Sequence, residues 1–175
     1  MLGSYSAIIG QFFGVVSLVL CVMAFASKRD DRLMGLLISA NVAFALQFAF
    51  LQSWTAAALT ALVIARIVLA RRYPGSLVIM AAVLVATGVA AALTWQGWAD
   101  LPAVVAMVTG TTGMFLLRGI AMRVFLGLAA LAWLASHALV GSVGGMLAEG
   151  MVLGTNAVTI LRLWLDRRAY VGVLE

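Results

Sequence analysis

The chain has 175 residues and a formal net charge of +5; 65% of its residues are hydrophobic and only 10% are charged, with a mean hydropathy of +1.16. A water-soluble domain needs more polar residues to cover its surface, so a soluble enzyme or binding module is excluded. The one cysteine, Cys21, rules out an internal disulfide, and no cysteine–histidine spacing of a metal site occurs.

About 20 apolar residues span the hydrocarbon core as a helix. Seven stretches are read this way, at roughly 5–27, 33–52, 54–70, 75–96, 101–117, 120–140 and 143–165. Their unbroken apolar runs point to helices, since barrel strands would alternate over about ten residues. The first stretch has no basic region ahead of it and is long for a cleaved signal, so it is expected to be a retained helix. It holds Gln11 and Cys21, the latter expected as a small apolar residue. The second carries Asn41 and Gln47, which roughly share a face. The third carries Ser53, Thr60 and Arg66, and closes on the breaker Arg71-Arg72-Tyr73-Pro74-Gly75. The fourth, Ser76 to Thr94, has almost no polar residue.

In the fifth stretch, Thr109, Thr111 and Thr112 are expected to bond backbone carbonyls, and the Gly110–Gly113 run to pack closely. The sixth places Trp133 and His137 four apart, on one face. The seventh places Ser142, Glu149 and Asn156 seven apart, again on one face. Gly144-Gly145 and Gly150-Gly154 look like small-residue packing faces.

The basic residues set an orientation. Lys28, Arg29, Arg32, Arg66, Arg71, Arg72, Arg118, Arg123, Arg162, Arg167 and Arg168 all fall in or beside alternate connections or the C-terminal tail. The opposite connections, Gln52-Ser53, 96–100 and 141–145, have no Lys or Arg. The positive-inside rule then predicts a periplasmic N-terminus and a cytoplasmic C-terminus. The positive charge is expected to meet anionic lipid, not nucleic acid. Trp54, Trp95 and Trp98 would lie at the outer interface.

The chain also repeats itself. Arg66-Ile67-Val68-Leu69-Ala70-Arg71-Arg72 returns as Arg162-Leu163-Trp164-Leu165-Asp166-Arg167-Arg168, 96 positions on. Gln47 has a counterpart in His137, and Phe25 in Phe115. Two three-helix units joined by a linker helix follow: repeat one at about 5–72, the linker at about 75–96 and repeat two at about 101–168, within a single membrane domain. In the 96-residue register, Ser53 matches Glu149 and Thr60 matches Asn156.

Polar groups inside a membrane are costly unless partnered or hydrated, so they carry the functional signal. Glu149 is the one acidic residue within an expected span, and a pairing with His137 would let the two share a proton. The expected site for a small polar solute is Glu149, Asn156, Thr60, His137, Trp133, Asn41 and Gln47. Arg66 and Arg162 are the expected gate at the cytoplasmic exit. No catalytic residue, metal or cofactor is expected, and no enzyme signature is present. The competing expectation is a membrane scaffold or assembly factor whose polar groups only lock helices. A homo-oligomeric channel would instead need its polar faces on the outside of the protomer.

Gly10-Gln11-Phe12-Phe13-Gly14, the Phe25–Arg32 stretch with its paired aspartates, Leu101-Pro102, Met122-Arg123, Gly141–Gly150 and Asn156–Arg162 resemble the YgjV-type bacterial inner-membrane proteins. That resemblance covers nearly the whole chain and implies location and topology; the family carries no established activity. A looser resemblance is to PQ-loop and SWEET-type transporters and the related nicotinamide riboside carriers, which join three-helix repeats by a linker helix. In SWEET-like repeats the third helix carries a substrate-facing asparagine, and Asn156 is similar in place. Thr60 stands there in the first repeat, and the proline–glutamine pair is absent. The resemblance implies transport of a small polar metabolite by alternating access.

Overall fold

The computed structural model describes the backbone of residues 2–26 and 30–171, and the side chains of 5–24 and 35–165. Over these residues the chain folds as α1 (Leu2–Ala26), α2 (Asp30–Phe50), α3 (Trp54–Arg72), α4 (Leu77–Thr94), α5 (Leu101–Leu116), α6 (Gly119–Leu139) and α7 (Val143–Val171). A 3-10 turn, Trp98–Asp100, precedes α5. All seven expected helices are found. Six include a stretch long and apolar enough to cross a membrane, while the apolar part described for α2, Gly35–Phe50, is shorter. Lys28 and Arg29 lie outside the described residues, as do the side chains of Phe25, Arg32, Arg167 and Arg168.

Local chemistry explains several boundaries. Ser76 Oγ accepts from Ile79 N at 3.3 Å and caps α4. Pro102 sits in the first turn of α5, where its missing N–H breaks no helical bond. Gly75 leaves α3 at φ 79°, a left-handed conformation that glycine adopts without steric cost.

Side chains tie the connections together at one end of the bundle. Ser6 near the start of α1 donates to Phe50 O at the end of α2. Gln11 Nε2 donates to Gly141 O at 2.6 Å. Thr55 Oγ1 donates to Thr94 O at 2.6 Å, and Trp54 N to Gln96 Oε1 at 2.8 Å. The start of α1, the α2–α3 turn, the α4–α5 connection and the α6–α7 turn therefore share one end, and these connections lack Lys and Arg. The three expected interfacial tryptophans are exposed there, with Trp95 and Trp98 edge to face at 6.3 Å. Arg71, Arg72, Arg118 and Arg123 mark the basic end, at the opposite termini of α3, α5 and α6.

Packing follows a reciprocal pattern. α2 lies between α1 and α3, and α6 between α5 and α7; α1 meets α7, and α3 meets α5. α4 touches α3 and α5 at the side of the bundle and leaves Leu77, Val78, Val85 and Leu93 exposed. The main apolar core joins Phe48, Leu59, Val63, Met107 and Trp133.

The α2–α3 and α6–α7 turns are built alike. Gln52 and Gly141 are left-handed, at φ 61° and 69°. Ser53 N bonds Phe48 O and Gln52 N bonds Ala49 O; Ser142 N bonds His137 O and Gly141 N bonds Ala138 O. Both are Schellman motifs, and they correspond at 89 positions (53 and 142), not 96. In this register Thr60 aligns with Glu149, and Arg66 with Thr155. The 96-residue register instead pairs Ser53 with Glu149 and Thr60 with Asn156. Ser142 itself lies just before α7, not on it. Because only glycine escapes the left-handed penalty, Gly141→Ala should cost about 1 kcal/mol and Gln52→Gly should gain a similar amount. Thermal unfolding in detergent checks both signs.

Candidate functional site

α7 carries Glu149 and Asn156 into the bundle, where they meet α2, α3 and α6 around a hollow of about 440 Å³. Arg71 and Arg123 line it at the basic end, and Asn41, Arg66, Trp133, Glu149 and Asn156 are among the residues that line its interior. A smaller hollow of about 100 Å³ shares Asn41, Trp133 and Glu149 with it and adds Thr60 and His137. Together they form a cleft entering from the basic end and stopping at His137. Glu149 and Thr60, which correspond in the two turns' register, face this inner part from α7 and α3.

Arg66 is 6% exposed, and its guanidinium is received by α5. Nη1 lies 3.8 Å from Met107 Sδ and occupies the space that a side chain at position 110 would fill, so Gly110 makes the room. Its Nε has no partner among the described residues. Arg66 and Glu149 both line the hollow, and no ion pair joins them. A basic and an acidic side chain thus line one hollow without meeting each other.

The polar amides and hydroxyls divide. Asn41 Nδ2 donates to Leu37 O at 2.8 Å, and Thr60 Oγ1 to Ala56 O at 2.7 Å, so each commits a donor to its own helix and keeps an acceptor for the cleft. Asn156 is buried and has no side-chain bond among the described residues. Trp133 packs its indole against Phe48 at 5.9 Å.

Beyond the cleft, the end without basic residues is sealed by a polar knot. Gln47 Nε2 donates to Ser142 Oγ and lies 3.5 Å from His137 Nδ1; Ser142 Oγ also accepts from Gly145 N at 3.0 Å. His137 is 1% exposed and stacks on Phe48 at 4.5 Å, so it is no interfacial surface residue. A Cβ at Gly145 would overlap the His137 ring, and one at Gly144 would overlap the α1 backbone at Gly14.

Of the expected site, Glu149, Asn156, Thr60, His137, Trp133 and Asn41 converge on the cleft. Gln47 stands in the knot and does not line it. The expected gate pair separates: Arg66 lines the cleft, whereas Arg162 is exposed on α7 and lines neither hollow. His137 and Glu149 share the inner hollow without a hydrogen bond between them. Gly150 and Gly154 face open space and pack nothing. Thr109 and Thr112 bond their own helix as expected, but the buried Thr111 Oγ1 has no partner. The close packing expected of Gly110, Gly113, Gly144 and Gly145 is found, and Gly14 joins them against Gln47 and Ser142.

A multi-pass helical membrane protein is the class that this geometry defines. Within it, residues 8–167 match the family model Imp-YgjV, bacterial inner membrane protein, and the chain belongs to that family. It is 25% identical over 156 residues to "Inner membrane protein YgjV" of Escherichia coli (strain K12), covering 89% of this chain and 85% of that one. No solved structure matches it.

Proposed function

We propose that the protein carries a small polar solute across the inner membrane by alternating access, and that the fold described is its inward-open state. The observation that carries this reading is the cleft: open at the basic end, lined by Arg66, Glu149, Asn41 and Asn156, and closed at the other end by the Gln47–His137–Ser142 knot. Binding sites at the bilayer midplane between structural repeats are how secondary transporters are built. Two parallel three-helix units, α1–α3 and α5–α7, with α4 as linker, agree with the matching turns and with the reciprocal α1–α7 and α3–α5 contacts. Phe48 and His137 correspond in that register and stack on each other, as residues beside a pseudo-twofold axis do. With α2 counted as a span there are seven, and the positive-inside rule puts the basic end in the cytoplasm. The reading assigns no catalytic residue.

Single cysteines at Asn156, Glu149 and Gln47, in a Cys21→Ser background, test it with a membrane-impermeant maleimide. Positions 156 and 149 should label in inverted vesicles and not in right-side-out ones, and position 47 in neither. Absence of labelling at both cleft positions from either side means a dry interior and favours a scaffold. Labelling only from the periplasmic side reverses the orientation.

A further inference from the structure

The chemistry of the cleft narrows the solute, on the footing that the protein is a transporter. The interior of the hollow is lined by one basic and one acidic residue, Arg66 and Glu149, its mouth by Arg71 and Arg123, and its remaining polar residues are the neutral Asn41, Thr155 and Asn156. Arg66 is more than nine-tenths buried and its Nε is unpartnered, while Glu149 faces the space without a hydrogen bond among the described residues. Uncompensated charge at membrane depth is costly. A solute with a single negative charge would satisfy Arg66 and be repelled by Glu149; one with a single positive charge would meet the converse. A neutral sugar would leave both charges unmet.

We propose that the cleft takes a small zwitterion, a compound bearing both an amine and a carboxylate, with its anionic group toward Arg66 and its cationic group toward Glu149 and the Trp133 ring. Such a ligand neutralises both protein charges while adding no net charge to the interior. The Trp133 indole offers an aromatic face to a cation, and its packing on Phe48 holds it in place. A hollow of about 440 Å³ lies toward the small end of the usual range for ligand sites, which suits a compact solute. Arg66 offers a planar fork matched to a carboxylate.

The test uses the purified full chain in detergent and a matched panel. It contains α- and ω-amino acids, the corresponding amides that keep only the amine, and the corresponding acids that lack the amine, with neutral sugars and nucleosides alongside. At least one zwitterion should bind about 10-fold or more tighter than both of its single-charge analogues, about 1.4 kcal/mol. Glu149→Gln should erase the preference for the amine and Arg66→Lys should keep the preference for the carboxylate. If a neutral compound binds and no zwitterion does, the charge assignment is overturned while the transport reading stands. Equal binding of an acid with and without its amine overturns it too. If nothing binds and the cysteines at 149 and 156 are unreactive, both readings fall.

Discussion

Gly144→Ala is expected to lower the midpoint of thermal unfolding by roughly 3–10 °C. A Cβ there would lie 2.5 Å from the carbonyl carbon of Gly14 and 2.8 Å from Val15 N. Both are backbone atoms, so no rotamer change relieves the overlap and α1 must move off α7. Overpacking of this kind costs about 1–3 kcal/mol, and about 1 kcal/mol shifts the midpoint of a chain this size by roughly 2–4 °C. The disturbance would also reach the polar knot, because Gly14 lies against Gln47 and Ser142. Gly150→Ala and Gly154→Ala are the controls. They face open space, so each should be neutral or gain up to about 1 kcal/mol of helix propensity. A Gly144→Ala protein that melts with the native one would mean that the two backbones are not in contact.

The second large effect separates charge from fold. Arg66→Met alone should destabilise the protein by about 3 kcal/mol, and adding Glu149→Gln should return about 1–2 kcal/mol of that loss. Removing one member of a buried charged pair strands the other, whereas replacing both is often neutral or stabilising. Here the two side chains line one cleft without contact, so the interaction energy should fall within the 0.5–3 kcal/mol range of coupled neighbours, roughly 1–2 kcal/mol. The cycle is read from unfolding midpoints of the four proteins in one detergent. A double variant that is stable but binds no solute would show that the two charges are kept for function. Strictly additive effects would show that Arg66 and Glu149 do not sense each other, and the cleft would lose its electrostatic rationale.

Much of the architecture is legible along the chain. Helix ends fall within three residues of the expected ones, save that α7 runs six residues past 165, because long apolar runs and breakers such as Tyr73-Pro74-Gly75 act locally. The face bearing Glu149 and Asn156 does point inward, since residues seven apart stay on one side of a helix whatever surrounds it. The internal register is where expectation and structure part. Aligning the two basic termini gives 96 positions, but α7 runs ten residues longer than α3. The turns at the opposite end match one another at 89 positions.

The same divergence decides the arginines. Arg66 and Arg162 stand in nearly identical local sequence, yet one is buried and the other exposed. Helical periodicity cannot distinguish them; the difference is that α5 flanks α3 and leaves a gap at Gly110. His137 is similar: its place near the end of an apolar helix does not reveal its depth, and only the Phe48 ring, Gln47 and Gly145 brought in by other helices make it interior. Composition, apolar length and charge placement by themselves determined that this chain is a membrane-embedded helical bundle with a basic end, because transfer into lipid depends on each segment alone. Which polar groups share one cleft, and which of two matching arginines faces it, was decided by tertiary packing, because those are distances between segments that no single helix encodes.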